Sequence, residues 1–168
     1  MANCKYVLEK KLLTSDRDRF FNAVIDFVFI SVFIFVFSLF VVIIGNIFQW
    51  DIYNAWVEIL ISLGAVGTYL SFAMIYYFSL ESLFGRTIGK LVTGSIVVDE
   101  NGIKPSFKNI CIRTLCRLIP FEAFSFLSKS ARFWHDSFSK TYVVEKKDLE
   151  IDMEIFYSLD LIGQKEVI

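Results

Sequence analysis

Histidine, proline and cysteine are scarce in this chain, with one, two and three copies among 168 residues, and each scarcity excludes something. Cys4, Cys111 and Cys116 form no C-x-x-C pair and have no histidine nearby in sequence. A zinc site needs about four ligands at characteristic spacings, so no metal centre is expected. The cysteines read as buried or free thiols in a reducing compartment. Without a Ser-His-Asp or Cys-His arrangement, an enzyme is not expected either, and nothing calls for a cofactor or nucleic acid. A secretory leader would carry its apolar core near the start, followed by a small-residue cleavage site. Residues 1–18 carry neither and read as a cytoplasmic lead-in. Lysine and arginine avoid the middle of the first half, and that gap points to what is there instead.

The chain is 55% hydrophobic, 21% charged, and has a mean hydropathy of +0.56. Soluble domains are usually about 45–50% apolar, so the excess indicates a membrane. The stretch Arg19 to Ile44 is an apolar run, and a spanning helix needs roughly 20 such residues. Thr14, Ser15 and Asp16 offer N-caps, and the spacing predicts a first spanning helix over about 17–44, closed by Gly45 and Asn46. A connector with Trp50, Asp51, Tyr53 and the adjoining Trp56 has no lysine or arginine and reads as an interfacial aromatic belt. A second spanning helix follows over about 55–80, with small-xxx-small spacings at Gly64/Thr68 and Gly67/Ser71. Such spacings permit close helix approach in lipid, and this face is expected to pack on the first helix. Basic residues flank both helices on one side, Lys5, Lys10, Lys11, Arg17 and Arg19 before and Arg86, Lys90 and Lys104 after. The positive-inside rule therefore places both termini in the cytoplasm of a multi-pass plasma-membrane protein.

Within the first helix, Arg19, Asn22 and Asp26 fall at i, i+3 and i+7, on one face. A carboxylate at that depth costs on the order of a few kcal/mol and usually faces protein or water. Beyond residue 80 the chain turns polar. Asp99-Glu100-Asn101-Gly102 supplies hairpin chemistry, predicting Gly94–Val98 paired with Ile103–Ser106. Over 107–128, Asn109, Arg113 and Arg117 form a polar stripe opposite Phe107, Ile110, Leu115 and Leu118. This pattern predicts an interfacial amphipathic helix, interrupted by Pro120, with an aromatic patch from Phe121 to Phe126. The alternative is a third, broken or re-entrant span. Thr141–Val144 reads as a strand, and Leu149, Ile151, Met153 and Ile155 alternate with acidic residues. That alternation suggests a second hairpin or a segment that orders against a partner.

These residues together resemble the RDD family of membrane proteins, named for an arginine and two aspartates. Arg19, Asp26 and Asp136 match those three. Glu81, the run Gly85-Arg86-Thr87-Ile88-Gly89-Lys90 and Ser95 to Asp99 are similar to its G-x-T-x-G-K segment and V-x-D turn. Arg113 and Arg117 match its arginine-bearing third segment, and His135-Asp136 through Lys140-Thr141 its closing motif. Ile88 stands where the family usually has proline. The resemblance covers about residues 15–145, between a lead-in at 1–14 and a cytoplasmic tail at 146–168. It implies a mainly bacterial, integral membrane protein of mostly unassigned function. Transport has been suggested for the family, cation/proton antiport attributed to at least one member, and scaffolding to others.

The fold class expected is thus an α-helical membrane protein with two spans, a cytoplasmic-side amphipathic or re-entrant segment and short β-hairpins. Gly85–Lys90 is no phosphate loop, because its first glycine is one position too close and Leu91 follows the lysine. It reads as a tight turn that places Arg86 and Lys90 near anionic headgroups. Asp26 is either a proton or cation site or a buried partner of Arg19, Arg113 or Arg117. Glu81 is level with Arg19 and is expected to bridge it. Asp136 is expected to cap or pin the closing segment rather than form a relay with His135. Two functions stay open: an oligomeric transporter component built around Asp26, and an adaptor whose hairpins and tail bind a partner protein.

Overall fold

A computed structural model describes residues 6–117 and 134–165. Leu118, Pro120 and the aromatic patch at 121–126 lie outside the described residues, as does the His135 side chain.

Helix α1 runs Asp16–Phe48 and α2 runs Ile52–Phe84. Both are long and apolar enough to cross a membrane. Ser15 caps α1 by accepting from the Asp18 N–H, and the acidic residues Asp16 and Asp18 suit the positive end of the helix dipole. The helix passes through Gly45 and Asn46 because the Asn46 amide donates to the Val42 carbonyl instead of breaking the turn. It ends at Gln49, whose φ of 53° lets its N–H return to the Gly45 carbonyl. The connector therefore shrinks to three residues, 49–51. Gly85, with a φ of 69°, closes α2 in the same way on the Glu81 carbonyl.

Gly64 interrupts α2 with φ 66° and ψ 177°, a region that only glycine enters readily. The Trp56 and Phe72 rings meet at 6.2 Å, whereas sixteen residues of straight helix would separate their backbones by about 24 Å. The kink therefore folds the two halves of α2 toward one another, with Phe37 of α1 packed against both rings. This corrects the expected small-residue seam. Gly67 faces its own Leu63, Ser71 is exposed, and only Thr68 of that stripe is buried. The close approach lies elsewhere. A Cβ on Gly89 would stand 2.4 Å from the Asn22 carbonyl oxygen, so the glycine lets α3 (Ile88–Val92) seat directly on α1.

Both expected hairpins are replaced. The strand β1 (Ser95–Val98) pairs antiparallel with β2 (Tyr142–Glu145), Ser95 opposite Glu145 and Val98 opposite Tyr142. The Asp99–Gly102 turn does form, with Asp99 N–H donating to the Ile103 carbonyl. Its far arm cannot pair, because Pro105 lacks an N–H and Ser106 caps α4 (Phe107–Cys116). A short helix α5 (Trp134–Phe138) precedes β2. Residues 146–165 form helix α6 rather than a strand. The alternating pattern concealed Leu149, Met153 and Phe156, which share a helical face and pack against Tyr6, Leu12, Val98 and Val144. Leu13 bridges Val144, tying the lead-in to the same ribbon.

Helix α4 turns its stripe inward. Arg113 is fully buried and Asn109 and Arg117 partly so, while Phe107 and Leu115 on the other side are exposed.

The burial of Leu149 makes α6 part of this core. Leu149→Ala should cost about 2–5 kcal/mol, read as a lower Tm in detergent and faster amide exchange at Val98 and Val144. Unchanged exchange would make α6 an appendage.

Candidate functional site

Polar residues of five elements, α1 to α5, meet at the end of the helix pair where α1 begins and α2 ends. Asp26, 2% exposed, lies two turns into the α1 face that starts at Arg19. Its carboxylate accepts from Tyr76 Oη (2.7 Å), Thr87 Oγ1 (2.7 Å) and the Gly89 N–H (2.8 Å). Tyr76 Oη accepts in turn from the Ile88 N–H, so Asp26 secures α2 and α3 together. One turn away, Thr93 Oγ1 donates to Asn22 Oδ1 at 2.8 Å. Of the two readings of Asp26, the pairing with Arg19, Arg113 or Arg117 is not found among the described residues. Its donors are neutral, and the Gly89 N–H is among them because the glycine lets the backbone of α3 approach α1 at Asn22.

The arginines serve two other acids. Glu81 Oε1 accepts from Lys90 Nζ (2.7 Å) and Arg117 Nη2 (2.8 Å), and Oε2 accepts from Arg113 Nε (3.0 Å). Arg113 Nη1 donates onward to Asp136 Oδ1 and to Thr141 Oγ1. Asp136 Oδ2 meets Arg19 Nη1 at 3.3 Å, and Arg19 Nε donates to the Thr14 carbonyl. The expected Glu81–Arg19 bridge is thus replaced by a relay, Arg19 to Asp136 to Arg113 to Glu81. The reason is position: β2 and α5 bring Asp136 beside Arg19, while α4 lays Arg113 and Arg117 against α2. Asp136, 1% exposed, pins the closing segment, its carbonyl accepting from the Thr141 N–H. Arg117 also lies over the Tyr77 ring, 3.7 Å from its centroid.

Lys90 is another correction. It does not face headgroups but is buried at 6% exposure against Glu81. Burial pushes its ammonium down to about 8; Glu81 acts in the opposite direction, and Arg113 and Arg117 add to the fall. Thr87 and Gly89, read as turn residues, prove to be partners of Asp26, and Gly85 supplies the αL stop before them. Tyr76 was missed. Its signal was physical rather than patterned, since a tyrosine inside an apolar helix has a hydroxyl that must find a partner. Thr93 gave no comparable signal.

Chemically, the site holds three buried acids in two states of compensation. Glu81 and Asp136 are each met by at least two cations, whereas Asp26 has no ion-pair partner among the described residues. The described residues contain no group of three potential metal ligands, and Cys111 and Cys116 are free thiols.

The model of the RDD family matches residues 14–142. No curated protein and no solved structure matches the chain.

Two measurements probe the cluster. Glu81→Gln would leave buried cations facing a neutral amide, and should cost about 3–5 kcal/mol of stability, against little change if the cluster is solvated. The depressed Lys90 pKa gives a pH signature. Between about 8 in the folded chain and 10.5 in the unfolded one, the unfolded state binds more protons, so this residue's contribution to stability rises with pH. Wild type should therefore gain Tm relative to Lys90→Met across that window. A constant difference would mean Lys90 stays charged.

Proposed function

The chain belongs to the RDD family, and from that premise we propose that it is a component of an oligomeric membrane transporter. It moves a small ligand or cation in exchange for protons, with Asp26 as the coupling group. The observation carrying this reading is that Asp26, alone among the three buried acids of the site, is compensated by neutral donors only. Two of its three donors are hydroxyls, which can rotate from donor to acceptor when the carboxyl is protonated. The Gly89 N–H cannot rotate, so protonation weakens that contact and loosens α3 from α1. Proton occupancy of Asp26 and the position of α3 are thereby coupled.

The two apolar helices found among the described residues cannot by themselves enclose a pathway, which supports assembly of several copies in the bilayer. Most of both spans is exposed in the single chain, as lipid- or partner-facing helices require. The flanking lysines and arginines support a plasma-membrane protein that crosses twice with both termini in the cytoplasm. A second reading, the adaptor, is favoured by one observation. The lead-in and α6, largely beyond residues 14–142, pack on each other through Tyr6 Oη to Asp152 (2.7 Å) and the Tyr6–Phe156 edge contact. That leaves Ile151, Ile155 and Tyr157 exposed to a partner.

The deciding experiment is proton-coupled Na⁺, K⁺ and Li⁺ flux in proteoliposomes. Wild type should exchange one of these cations for protons, and Asp26→Asn should abolish the exchange while remaining folded. Absence of flux in both, with correct insertion, would move the function to the adaptor reading.

A further inference from the structure

Between α2 and β1 the chain runs through residues 85–94, which begin and end on glycines in the left-handed region, φ 69° at Gly85 and 73° at Gly94. A Cβ on either would meet nothing within 4 Å. Their backbone angles, not their packing, require glycine, and open space surrounds both. Their carbonyls are anchored, Gly85 accepting from the Val97 N–H and Gly94 from the Lys146 N–H. Two fixed pivots thus bracket α3.

What holds this segment down is polar. Its larger apolar side chains stay outside the core, Ile88 half-buried and Leu91 and Val92 exposed at 55% and 69%. Docking instead uses Thr87 Oγ1 and the Gly89 N–H on Asp26, the Ile88 N–H on Tyr76 and Thr93 Oγ1 on Asn22. Lys90 Nζ on Glu81 completes the set. A segment with few buried apolar contacts is among the first to open locally, and here its holding contacts include two carboxylates and an ammonium.

Lys90 is the member of the ion network that can leave. Without it, Glu81 keeps Arg113 Nε at 3.0 Å and Arg117 Nη2 at 2.8 Å. Glu81 and Asp136 together face Arg19, Lys90, Arg113 and Arg117, so cations outnumber acids. Arginine keeps its proton in proteins, which leaves the lysine to relieve the excess. The charges packed around it are Glu81 from α2 and Arg113 and Arg117 from α4. On the α1 side stands Asp26, bonded to the adjoining Gly89.

We propose that residues 85–94 are a hinged strap and that Lys90 is its positioning residue, taking a proton from solvent as it leaves Glu81 and returning it on docking. A neutral amine still donates to Glu81, so the docked contact survives the loss of the proton. Burial, reinforced by Arg113 and Arg117 and opposed by Glu81, brings the docked ammonium down to about 8, against 10.5 for a lysine in water. Between those values the released strap binds more protons than the docked one, so rising pH favours docking. Below about 8 the lysine is charged in both states and the dependence ends. The strap deepens the transport reading, on which its use in exchange rests, by giving α3 a second proton-carrying contact beside Asp26.

Nitroxides at Val24→Cys and Val92→Cys, both exposed positions, test the strap on the full chain in proteoliposomes, with Cys4, Cys111 and Cys116 replaced by serine. Pulsed electron spin resonance then reads the α1–α3 distance against pH. Wild type should show a docked and a released distance, with the docked-to-released ratio rising up to about tenfold per pH unit above about 8 and constant below it. Lys90→Arg, charged throughout, and Lys90→Met, neutral throughout, should each hold one ratio across the range. A single, pH-independent distance in wild type would overturn the proposal, and so would a pH slope that persists in both variants. Cation flux on the same vesicles keeps the two readings apart. A strap that follows pH without flux loses only its use in exchange, whereas flux through a strap that never moves removes the strap alone.

Discussion

The structure depends on the guanidinium of Arg113, which holds two carboxylates at once. Its Nε serves Glu81 of α2 and its Nη1 serves Asp136 of α5, so one buried side chain joins the second apolar helix to the closing segment. Arg19 extends the same chain of charges to α1, and Lys90 extends it to α3. Such a network contributes modest net stability against well-packed hydrocarbon, because each ion loses its hydration. Its value lies in exclusivity. Any register that leaves Arg113 unpaired strands a buried cation, so wrong arrangements are penalised far more than the right one is rewarded.

Asp26 works differently. Its three contacts are neutral and come from a tyrosine, a threonine and a backbone amide. The same buried site thus contains a fixed part, where charge meets charge, and an adjustable part, where hydroxyl rotors surround a lone carboxylate. Gly89 makes the second part possible by admitting the α3 backbone against Asn22. A side chain at that position would push α3 away and remove two of the three donors.

The sequence made the two apolar helices legible, since length and composition alone define them. It also revealed the polar residues, because Arg19, Asp26, Glu81 and Arg113 are conspicuous in or beside apolar runs. What it hid was their pairing, which depends on which segments meet in space. β1 finds β2 some forty-odd residues later rather than its neighbour, because Pro105 and Ser106 commit the nearer segment to another task. For residues 149–155 the acidic alternation matched a strand, while Leu149, Met153 and Phe156 carried the helical period that tertiary packing selects. The Gly64 kink was invisible as well, since a glycine within an apolar helix reads equally as a packing residue.

The Arg19–Asp136 contact joins residues 117 positions apart. A chain emerging from the ribosome therefore places Arg19 at the head of its first apolar helix long before the matching carboxylate has been synthesised. The Arg19–Asp136 contact therefore cannot form until the closing segment has been made, however early the first helix is placed. Any product that stops short of α5 would lack the Asp136 carboxylate that ties Arg19 of α1 to Arg113 of α4.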